Sequence, residues 1–420
     1  MTDNRHEHQM RASLYAITEL DVAERLVFEN VQTLETQEIG LTEGLGRVLA
    51  EDVYATDFMP PFDTTAVDGY ALLAHEDQQE RQIVGEQTAG RISGVRVEAG
   101  TAVRIMTGAP LPPGADSVVM VEDTSETESV VKVHSHPKVG DNIRPKGQDL
   151  QAGQLILQAG TILGAVELGL LATVNKPRFQ AIRKPRIAVL STGDEIVEPG
   201  QAAEPGQIYD SNRFSLMSVV TEAYAEPVSL GIGPDTETAL RATIWDALQQ
   251  YDALITSGGV SVGRLDLMKS LLEEIGTVHF GRINLKPGKP LTFVTVEVNG
   301  QTKPVFGLPG FPVSSLVSFE LFVRPALLKM GGRKNLQRPI VQARLLHPLK
   351  HSPDRNEFVR AMVSREYDTA TQSYYYTARS TGAQNSSRLL SMLGANALLR
   401  LAPGSHPLEE GQYVPALLLD

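Results

Sequence analysis

The sequence contains no cysteine, no long apolar run and no excess of positive charge. The absence of cysteine excludes disulfides, thiolate nucleophiles and cysteine-ligated zinc, so any metal must be bound by oxygen or histidine. This restriction favours a hard cation such as Mg²⁺. No stretch approaches the roughly 20 apolar residues of a membrane-spanning helix, so we expect no membrane segment. The N-terminal MTDNRHEHQMR lacks the apolar region of a secretory signal, and we therefore expect a cytoplasmic protein.

Negative charge predominates in the chain. The 38 Lys and Arg residues are outnumbered by 50 Asp and Glu residues, giving a formal net charge of -12. A field of this sign repels polyanions, so we expect no nucleic-acid binding, and any anionic substrate must be held by local groups. The length of 420 residues predicts about two to four domains.

The pattern of apolar residues changes along the chain and predicts a multi-domain α/β plus β protein. Asp21–Glu24 resembles a capping box and predicts an amphipathic helix that runs through Val31. Short β-rich runs between Gln82 and Leu157 predict an all-β module. From Arg186 onward, strands alternate with helices, which predicts a doubly wound, mostly parallel α/β sheet. Further helices are expected over 164–174, 212–224, 237–250 and 312–329. The predicted domains are an elongated N-terminal and linker domain (12–58 and 146–184), a β-rich inserted domain (59–145), the α/β domain (185–332) and a C-terminal β-barrel-like domain (333–420).

The most informative segment reads YDALITSGGVSVGRLDLM and begins at Tyr251. Its apolar part predicts a buried strand, Thr256–Gly263 a glycine-rich loop, and the residues from Leu265 a helix. Glycines let backbone N–H groups approach a ligand, and a helix N-terminus favours negative charge, so this turn predicts an anion site. Asp266 places a carboxylate beside it, which suggests a cation between the two. The alternative is an ordinary glycine-bearing turn of a doubly wound domain.

Three other loops are expected at the same edge of the sheet, where ligands of open α/β sheets bind. They are STGDE (Ser191–Glu195), NLKPGKP (Asn284–Pro290) and GLPGFPVSS, which leads into the helix beginning at Pro312. Lys286 and Lys289 flank a Pro-Gly turn and are predicted to hold a phosphate or another oxyanion as point charges, the alternative being two solvated lysines. Carboxylates expected near these lysines, which together fit Mg²⁺ and a phosphorylated ligand, are Asp194, Glu195, Asp235 and Asp266.

Eight motifs in this order make the chain resemble the molybdopterin molybdenumtransferase family, which includes the bacterial MoeA proteins and the C-terminal domain of gephyrin. The resemblance spans nearly the whole chain and rests on DTTAVDGYAL, RIMTGAPLPPGADSVV, GDNIRPKGQDLQAG, RIAVLSTGDEI, IYDSN, TSGGVSVGRLD, KPGKP and GLPGFPVS. It implies insertion of molybdate into adenylylated molybdopterin with release of AMP. It also implies a homodimer with a pocket between subunits, and a molybdopterin adenylyltransferase as partner.

Roles for individual residues follow from the resemblance alone. Residues implied to be catalytic are Asp68, Thr107, Glu195, Asp235, Lys286 and Lys289. Residues implied to bind substrate are Asp149, Ser191, Thr192, Gly193, Asp194, Ser257, Gly258, Gly259, Ser261, Pro309, Gly310 and Ser386. The implied Mg²⁺ ligands are Glu195, Asp235 and Asp266.

Two positions depart from the family pattern. Arg264 stands where an acidic residue is usual, and its charge is expected either to strengthen phosphate binding or to alter the demand for metal. Phe311 replaces the amide residue of LPGNP, and we expect it to pack against the following helix, the alternative being that it stacks on the pterin. The competing functions are a dimeric scaffold of the gephyrin type and the adenylyltransferase that makes the precursor.

Overall fold

The protein is represented by a computed structural model that describes residues 16–234, 236–258, 265–404 and 406–419, except the side chains of 265–267 and 269. It divides into two compact units. The larger comprises the segment up to Glu38, Gly46–Ala50 and the chain from Gln180 onward, and the smaller comprises Ile39–Leu45 and Glu51–Phe179. The finer division into four domains stays a prediction.

Helices and strands alternate in the middle of the chain, and strands dominate on either side. The α-helices of the described residues are α1 (Leu20–Glu29), α2 (Ala165–Thr173), α3 (Asn212–Glu222), α4 (Glu237–Gln250), α5 (Leu265–Ile275), α6 (Pro312–Ser318) and α7 (Arg324–Met330). The strands before Lys184 are β1 (Thr36–Gly40), β2 (Val53–Tyr54), β3 (Thr64–Thr65), β4 (Gly69–Leu72), β5 (Glu80–Gln87), β6 (Thr101–Ile105), β7 (Ser117–Met120), β8 (Thr124–Glu126), β9 (Val130–Val133), β10 (Ile143–Arg144), β11 (Leu155–Leu157) and β12 (Arg178–Ile182). The later strands are β13 (Arg186–Thr192), β14 (Ile196–Val197), β15 (Ile208–Tyr209), β16 (Glu226–Ile232), β17 (Ala253–Gly258), β18 (Thr277–Phe280), β19 (Leu285–Lys286), β20 (Thr292–Val298), β21 (Gln301–Leu308), β22 (Ile340–Leu345), β23 (Asn356–Asp368), β24 (Ser373–Ser380), β25 (Ala397–Leu401) and β26 (Tyr413–Leu418). In the part of the chain that the structure describes, no helix is long and apolar enough to cross a membrane.

A six-stranded sheet forms the centre of the larger unit, in the order β16-β13-β17-β21-β20-β18. The first four strands are parallel, and β20 and β18 are antiparallel to their neighbours. Ile187 and Val189 of β13 pack in one core with α1, α3, α6 and α7, whereas Ala188 and Leu190 pack in a second core with α4 and α5. Because alternate side chains of a strand point to opposite faces, these two cores cover both faces of the sheet. The predicted doubly wound α/β fold is confirmed.

The strand register brings the predicted loops to one edge of this sheet. Thr192 pairs with Gly258, and Ser257 pairs with Leu308, so β13, β17 and β21 end side by side. Thr292, at the start of the antiparallel strand β20, pairs with Gly307 near the end of β21. The ends of β13, β17 and β21 and the start of β20 therefore lie at the same edge of the sheet.

The helix predicted over 312–329 is not one continuous α-helix. It consists of α6, a π-helical segment Phe319–Val323 and α7. Pro325 has no N–H to donate to the carbonyl four residues earlier, and a wider turn ahead of it accommodates the missing bond. The prediction of an uninterrupted helix is wrong for this reason.

The other helices show how local residues set their ends. The predicted start at the capping box is wrong, because α1 begins earlier, at Leu20, whose side chain is buried in the core. Helix α3 ends at Glu222, two residues before the predicted end, because Tyr224 has a left-handed φ of 60°. Helix α4 has the predicted ends, and the Thr236 hydroxyl caps it by accepting from the Ala239 N–H.

The C-terminal strands form a closed barrel, which confirms the predicted β-barrel-like domain. Strand β23 pairs with both β24 and β25, and the circuit is completed through β22 and β26. Its interior is filled by small and branched apolar residues such as Ala361, Ala378 and Leu399. Strand β19 adds to this barrel beside β23, in parallel.

The smaller unit is β-rich, as expected. Its main sheet has the order β7-β4-β6-β5-β9-β8, and two-stranded ribbons join β10 to β3 and β11 to β2. Tyr70, Leu72 and Val131 are buried in one core of this unit. Strand β4 positions a predicted site residue, because Asp68 immediately precedes it.

Candidate functional site

A cleft of about 340 Å³ opens at the carboxyl edge of the central sheet. This volume falls within the usual range of small-molecule sites, about 300–1,000 Å³. Strand ends supply the floor of the cleft, and the β14–β15 ribbon, the start of α3 and two loops supply its walls. Its lining residues are Ser191, Thr192, Glu195, Ile196, Ile208, Tyr209, Asp210, Ser211, Asn212, Ser257, Gly258, Gly310, Phe311, Pro312, Ser387 and Leu389.

Gly258 occupies a position in the floor that only glycine fits. Its φ is 104°, and a Cβ placed on it would lie 1.9 Å from the backbone oxygen of Thr192. Any other residue would require both a strained backbone and displacement of strand β13. Strand packing thus requires glycine at 258, the first glycine of the predicted anion-binding turn, whether or not a ligand is bound.

Asn212 connects the loops around the cleft. Its Nδ2 donates to the Ser257 Oγ at 2.8 Å and to the Gly310 carbonyl at 2.7 Å. Ser257 lies at the end of β17, Gly310 follows β21 and Asn212 itself begins α3, so one amide connects three segments. We did not single out Asn212 from the sequence, although IYDSN was among the family motifs. A short polar residue at a helix start reads as a local cap.

A buried ion pair supports the β14–β15 wall from beneath. Asp210 is 2% exposed and accepts from the Arg213 Nε at 2.9 Å, and Arg213 also donates to the Ser229 Oγ at 2.7 Å. Glu198 binds the same guanidinium. Because buried charges are costly unless paired, this network keeps Asp210 and Arg213 in fixed positions.

Ser191 leaves an unused polar group at the floor. Its side chain is 1% exposed, and its Oγ has no hydrogen-bond partner among the described atoms. A buried hydroxyl without a partner carries a free-energy cost of about 1–3 kcal/mol.

The STGDE loop brings one carboxylate to the cleft. Glu195 is exposed and lines the cleft. Gly193 makes room for it, since a Cβ there would lie 2.5 Å from a Glu195 carboxylate oxygen. Asp194 is exposed and lies outside the lining. Asp235 and the Asp266 side chain lie outside the described residues, and the rest of the structure holds no group of three His, Asp or Glu arranged to bind a metal.

The rim of the cleft is apolar and aromatic. Phe311 is 59% exposed, Tyr209 is 52% exposed and Ile208 is 60% exposed. Our expectation that Phe311 packs against the following helix is therefore wrong. The residue before a proline is confined to extended conformations, and this holds Phe311 out of α6.

The two predicted lysines lie outside the cleft lining, and one of them, Lys286, is anchored to the C-terminal barrel. Strand β19 carries Lys286, whose Nζ lies 3.1 Å from the Glu357 carboxylate, and Glu357 is buried and also accepts from the Ser352 N–H at 2.7 Å. Burial, then the positive charges of Arg282 and Arg355, lower the pKa of Lys289. A lysine that is crowded by cations attracts an oxyanion.

Arg360 is a functional candidate that sequence reasoning missed. It is 1% exposed, and its guanidinium donates to the Ser391 Oγ at 3.2 and 3.1 Å and to the Asn385 carbonyl at 3.4 Å. Burial lowers the pKa of Arg360 to about 10. These partners lie in the 384–391 loop, which also carries the cleft residues Ser387 and Leu389. The sequence signal for Arg360 was its place in RNEFVRA (Arg355–Ala361), a C-terminal segment that also resembles the family.

The remaining predicted residues fall at several places. Ser386 lies beside the cleft rather than in its lining, and its carbonyl accepts from the Val313 N–H at 3.1 Å near the start of α6. Predicted residues that the structure brings together in the cleft are Ser191, Thr192, Glu195, Ser257, Gly258 and Gly310. Gly193, Asp194 and Pro309 are their chain neighbours. Gly259, Ser261 and Arg264 lie outside the described residues.

In the smaller unit, Asp68 and Thr107 form a paired site. The Thr107 N–H and hydroxyl both donate to the Asp68 Oδ1, at 2.6 and 2.7 Å. These two bonds lower the pKa of Asp68 and keep it an exposed carboxylate. Asp149 is also exposed and binds Arg144 at 2.6 Å.

Three family models match successive parts of the chain. The MoeA N-terminal region (domain I and II) matches residues 18–175, the probable molybdopterin binding domain matches 188–329, and the MoeA C-terminal region (domain IV) matches 342–419. Together these models cover most of both structural units.

Whole-length relatives agree with these matches. A molybdopterin molybdenumtransferase from Nostoc sp. is 35% identical over 94% of this chain and 92% of its own. A gephyrin from Dictyostelium discoideum is 36% identical over 97% of this chain and 63% of its own. The crystal structure of a molybdopterin biosynthesis MoeA protein from Pyrococcus horikoshii is 31% identical, with a TM-score of 0.78 over 96% of this chain and all of that one. The chain therefore belongs to the molybdopterin molybdenumtransferase (MoeA) family.

Proposed function

We propose that this protein inserts molybdate into adenylylated molybdopterin and releases AMP, as the last step in making the molybdenum cofactor. The observation that carries this proposal is the pairing of a small-molecule cleft with a separate group of cations in the same structural unit. The cleft suits an organic phosphate, and the group of cations suits an inorganic oxyanion.

The cleft has the properties expected of a nucleotide or pterin phosphate site. It lies beyond the carboxyl ends of parallel strands, where such ligands bind in doubly wound sheets. Its lining includes the polar residues Ser191 and Ser257 and the bare backbone at Gly258. Hydroxyls and exposed backbone are the usual partners of phosphate oxygens.

The lysine turn has the properties expected of a molybdate site. Lys286 is held by Glu357 on the barrel, so its ammonium group is positioned before any ligand arrives. Lys289 lies in the field of Arg282 and Arg355, and a dianion would neutralise part of that crowding. Such preorganised cations stabilise charge without having to rearrange during the reaction.

The proposal assigns a role to the smaller unit through a homodimer, in which Asp68 and Thr107 of one subunit complete the pocket of the other. Asp68 is ionised and fixed by Thr107, and it is exposed to receive a ligand. A carboxylate in this state suits binding of a cation or of N–H groups on a pterin. We further propose a cytoplasmic location and an adenylyltransferase that hands over its product.

Mg²⁺ is part of the proposal as a neutraliser of the phosphoanhydride. Oxygen ligands of the type that Mg²⁺ prefers are available at Glu195, which lines the cleft. Asp235 and Asp266 are the other ligands suggested by the family motif. Depletion and re-addition of Mg²⁺ in the assay tests this part by itself.

The test is reconstitution with purified protein, adenylylated molybdopterin, molybdate and Mg²⁺, with AMP release as the readout. Asp68→Ala and Lys286→Ala are expected to slow AMP release by about 100-fold or more, the usual effect of removing a preorganised charged group. Matched controls are Asp57→Ala and Lys334→Ala, which remove exposed charges away from the proposed site. A parallel series with tungstate measures metal selectivity.

Each part of the proposal has its own contradicting result. Full activity in both Asp68→Ala and Lys286→Ala contradicts the site assignment. A wild-type dimer that releases no AMP in the presence of molybdate contradicts the enzymatic function and favours a scaffold of the gephyrin type. Synthesis of adenylylated molybdopterin from ATP would instead identify an adenylyltransferase.

A further inference from the structure

Two exposed aromatic side chains line the same cleft as a group of polar residues. Phe311 and Tyr209 are 59% and 52% exposed, and both line the cleft at the carboxyl edge of the sheet. Beneath them lie the polar side chains of Ser191, Ser257 and Asn212. Large aromatic surface left in water beside hydrogen-bonding groups is typical of a binding site for a flat, polar-edged ligand.

We propose that Phe311 and Tyr209 form an aromatic clamp for the planar nitrogen heterocycle of the substrate, an inference that rests on the proposed function. A heterocycle satisfies both parts of the site. Its faces stack on the aromatic rings, and its ring nitrogens and exocyclic groups face the polar floor. The adenylylated substrate carries two such rings, a pterin and an adenine, and the clamp binds one of them.

The backbone of Phe311 is fixed on both sides, so its ring is available without prior ordering. Asn212 holds the Gly310 carbonyl at 2.7 Å, and Pro312 confines Phe311 to its extended conformation, with φ -73° and ψ 129°. The Phe311 carbonyl also accepts from the Ser315 N–H at 2.9 Å. A ring on such a backbone loses little conformational entropy when a ligand stacks on it.

Tyr209 is placed by the β14–β15 ribbon. It pairs with Val197, and the Ile208 N–H donates to the Glu195 carbonyl at 2.7 Å. The next residue, Asp210, is anchored by its buried bond to Arg213. Tyr209 therefore stands on a supported strand, and its exposure is not that of a free loop end.

The experiment compares wild type, Phe311→Ala and Phe311→Trp by calorimetric titration with AMP, molybdopterin and ribose 5-phosphate. Phe311→Ala is expected to weaken binding of one ring-bearing ligand about tenfold and to leave ribose 5-phosphate, which has no ring, unchanged. Phe311→Trp is expected to restore affinity. Tyr413→Ala removes an equally exposed aromatic outside the cleft and is the matched control.

The ligand that responds identifies the ring. Weaker binding of AMP assigns the clamp to adenine, and weaker binding of molybdopterin assigns it to the pterin. Equal affinity of Phe311→Ala and wild type for both ligands overturns the clamp, as does a uniform loss that includes ribose 5-phosphate. A wild-type protein that binds none of the three also overturns it.

Steady-state kinetics distinguish a failure of the clamp from a failure of the proposed function on which the clamp rests. Phe311→Ala is expected to raise the KM for adenylylated molybdopterin about tenfold with kcat within about threefold of wild type, because stacking contributes similarly to the ground and transition states. Ring-dependent binding without any molybdate-dependent AMP release would support the clamp and contradict the proposed function. Normal AMP release with an unchanged KM in Phe311→Ala would support the proposed function and contradict the clamp.

Discussion

Replacement of Asn212 by alanine tests whether the cleft is held open by one amide. The substitution removes two hydrogen bonds, to the Ser257 hydroxyl at 2.8 Å and to the Gly310 carbonyl at 2.7 Å. Each such bond contributes about 1 kcal/mol net, so the end of β17 and the loop after β21 together lose about 2 kcal/mol of positional restraint. If substrate binding must restore that order, kcat/KM falls about 30-fold, since about 1.4 kcal/mol corresponds to a factor of ten.

The assay measures kcat/KM for adenylylated molybdopterin together with the free energy of unfolding in urea. Asn212→Asp is the informative companion, because its carboxylate can accept from the Ser257 hydroxyl, the reverse of the wild-type bond, but repels the Gly310 carbonyl. We expect it to be no better than Asn212→Ala. Wild-type kcat/KM in Asn212→Ala would refute the reasoning. A fall in kcat/KM that is fully matched by unfolding would show that the amide serves stability alone.

Two further predictions concern charged groups. Burial and the neighbouring cations Arg282 and Arg355 lower the pKa of Lys289, so its ammonium form, and with it molybdate binding, is lost as pH rises through that lowered pKa. Arg355→Gln should move this loss to higher pH and weaken molybdate binding about fivefold at neutral pH, as measured by the KM for molybdate between about pH 7 and pH 10; an unchanged profile contradicts the interaction. At the opposite edge of the sheet, burial alone would raise the pKa of Asp252, but hydrogen bonds from Arg183 at 2.6 and 2.7 Å and from the Arg186 N–H outweigh it, and the pKa is lowered. The contribution of ionised Asp252 to the free energy of unfolding is fully present above the unfolded pKa of about 3.9 and is lost as pH falls through the lower pKa of the folded state. Asp252→Asn should therefore cost about 3 kcal/mol at neutral pH in urea unfolding, and wild type and variant should converge in acid; equal stability at pH 7 would exclude the mechanism.

Much of the fold could be predicted from local patterns. Helix α4 has its predicted ends because a threonine cap, an amphipathic repeat and a following strand all agree. The doubly wound sheet followed from the alternation of strands and helices, and a β-barrel-like C-terminal domain was expected where the chain becomes strand-rich again. The π-helical segment was missed, because a proline one turn away perturbs residues whose own propensities are ordinary.

The candidate site was less accessible to sequence reasoning. Gly258 was expected to let backbone N–H groups approach a ligand, whereas the structure shows a further reason for glycine there, a close approach to Thr192 of a neighbouring strand, which depends on register. Arg360 was missed because an arginine in a strand usually faces solvent, and only the barrel shows it buried against Ser391. Phe311 was expected to pack, since large apolar residues usually do, but the proline after it holds it in the cleft wall.

The π-helical segment Phe319–Val323 sets the rotational phase between two buried helices. A π turn contains about one residue more than an α turn, and one residue corresponds to roughly 100° of rotation about the helix axis. Deletion of one residue there would regularise the helix, but it would turn α6 by about that angle while α7 stays packed in the core. Gly310 and Phe311, which lead into α6, would then leave the cleft wall. The extra residue therefore acts as a spacer that lets the apolar faces of α6 and α7 both reach one core while Gly310 and Phe311 stay in the cleft wall.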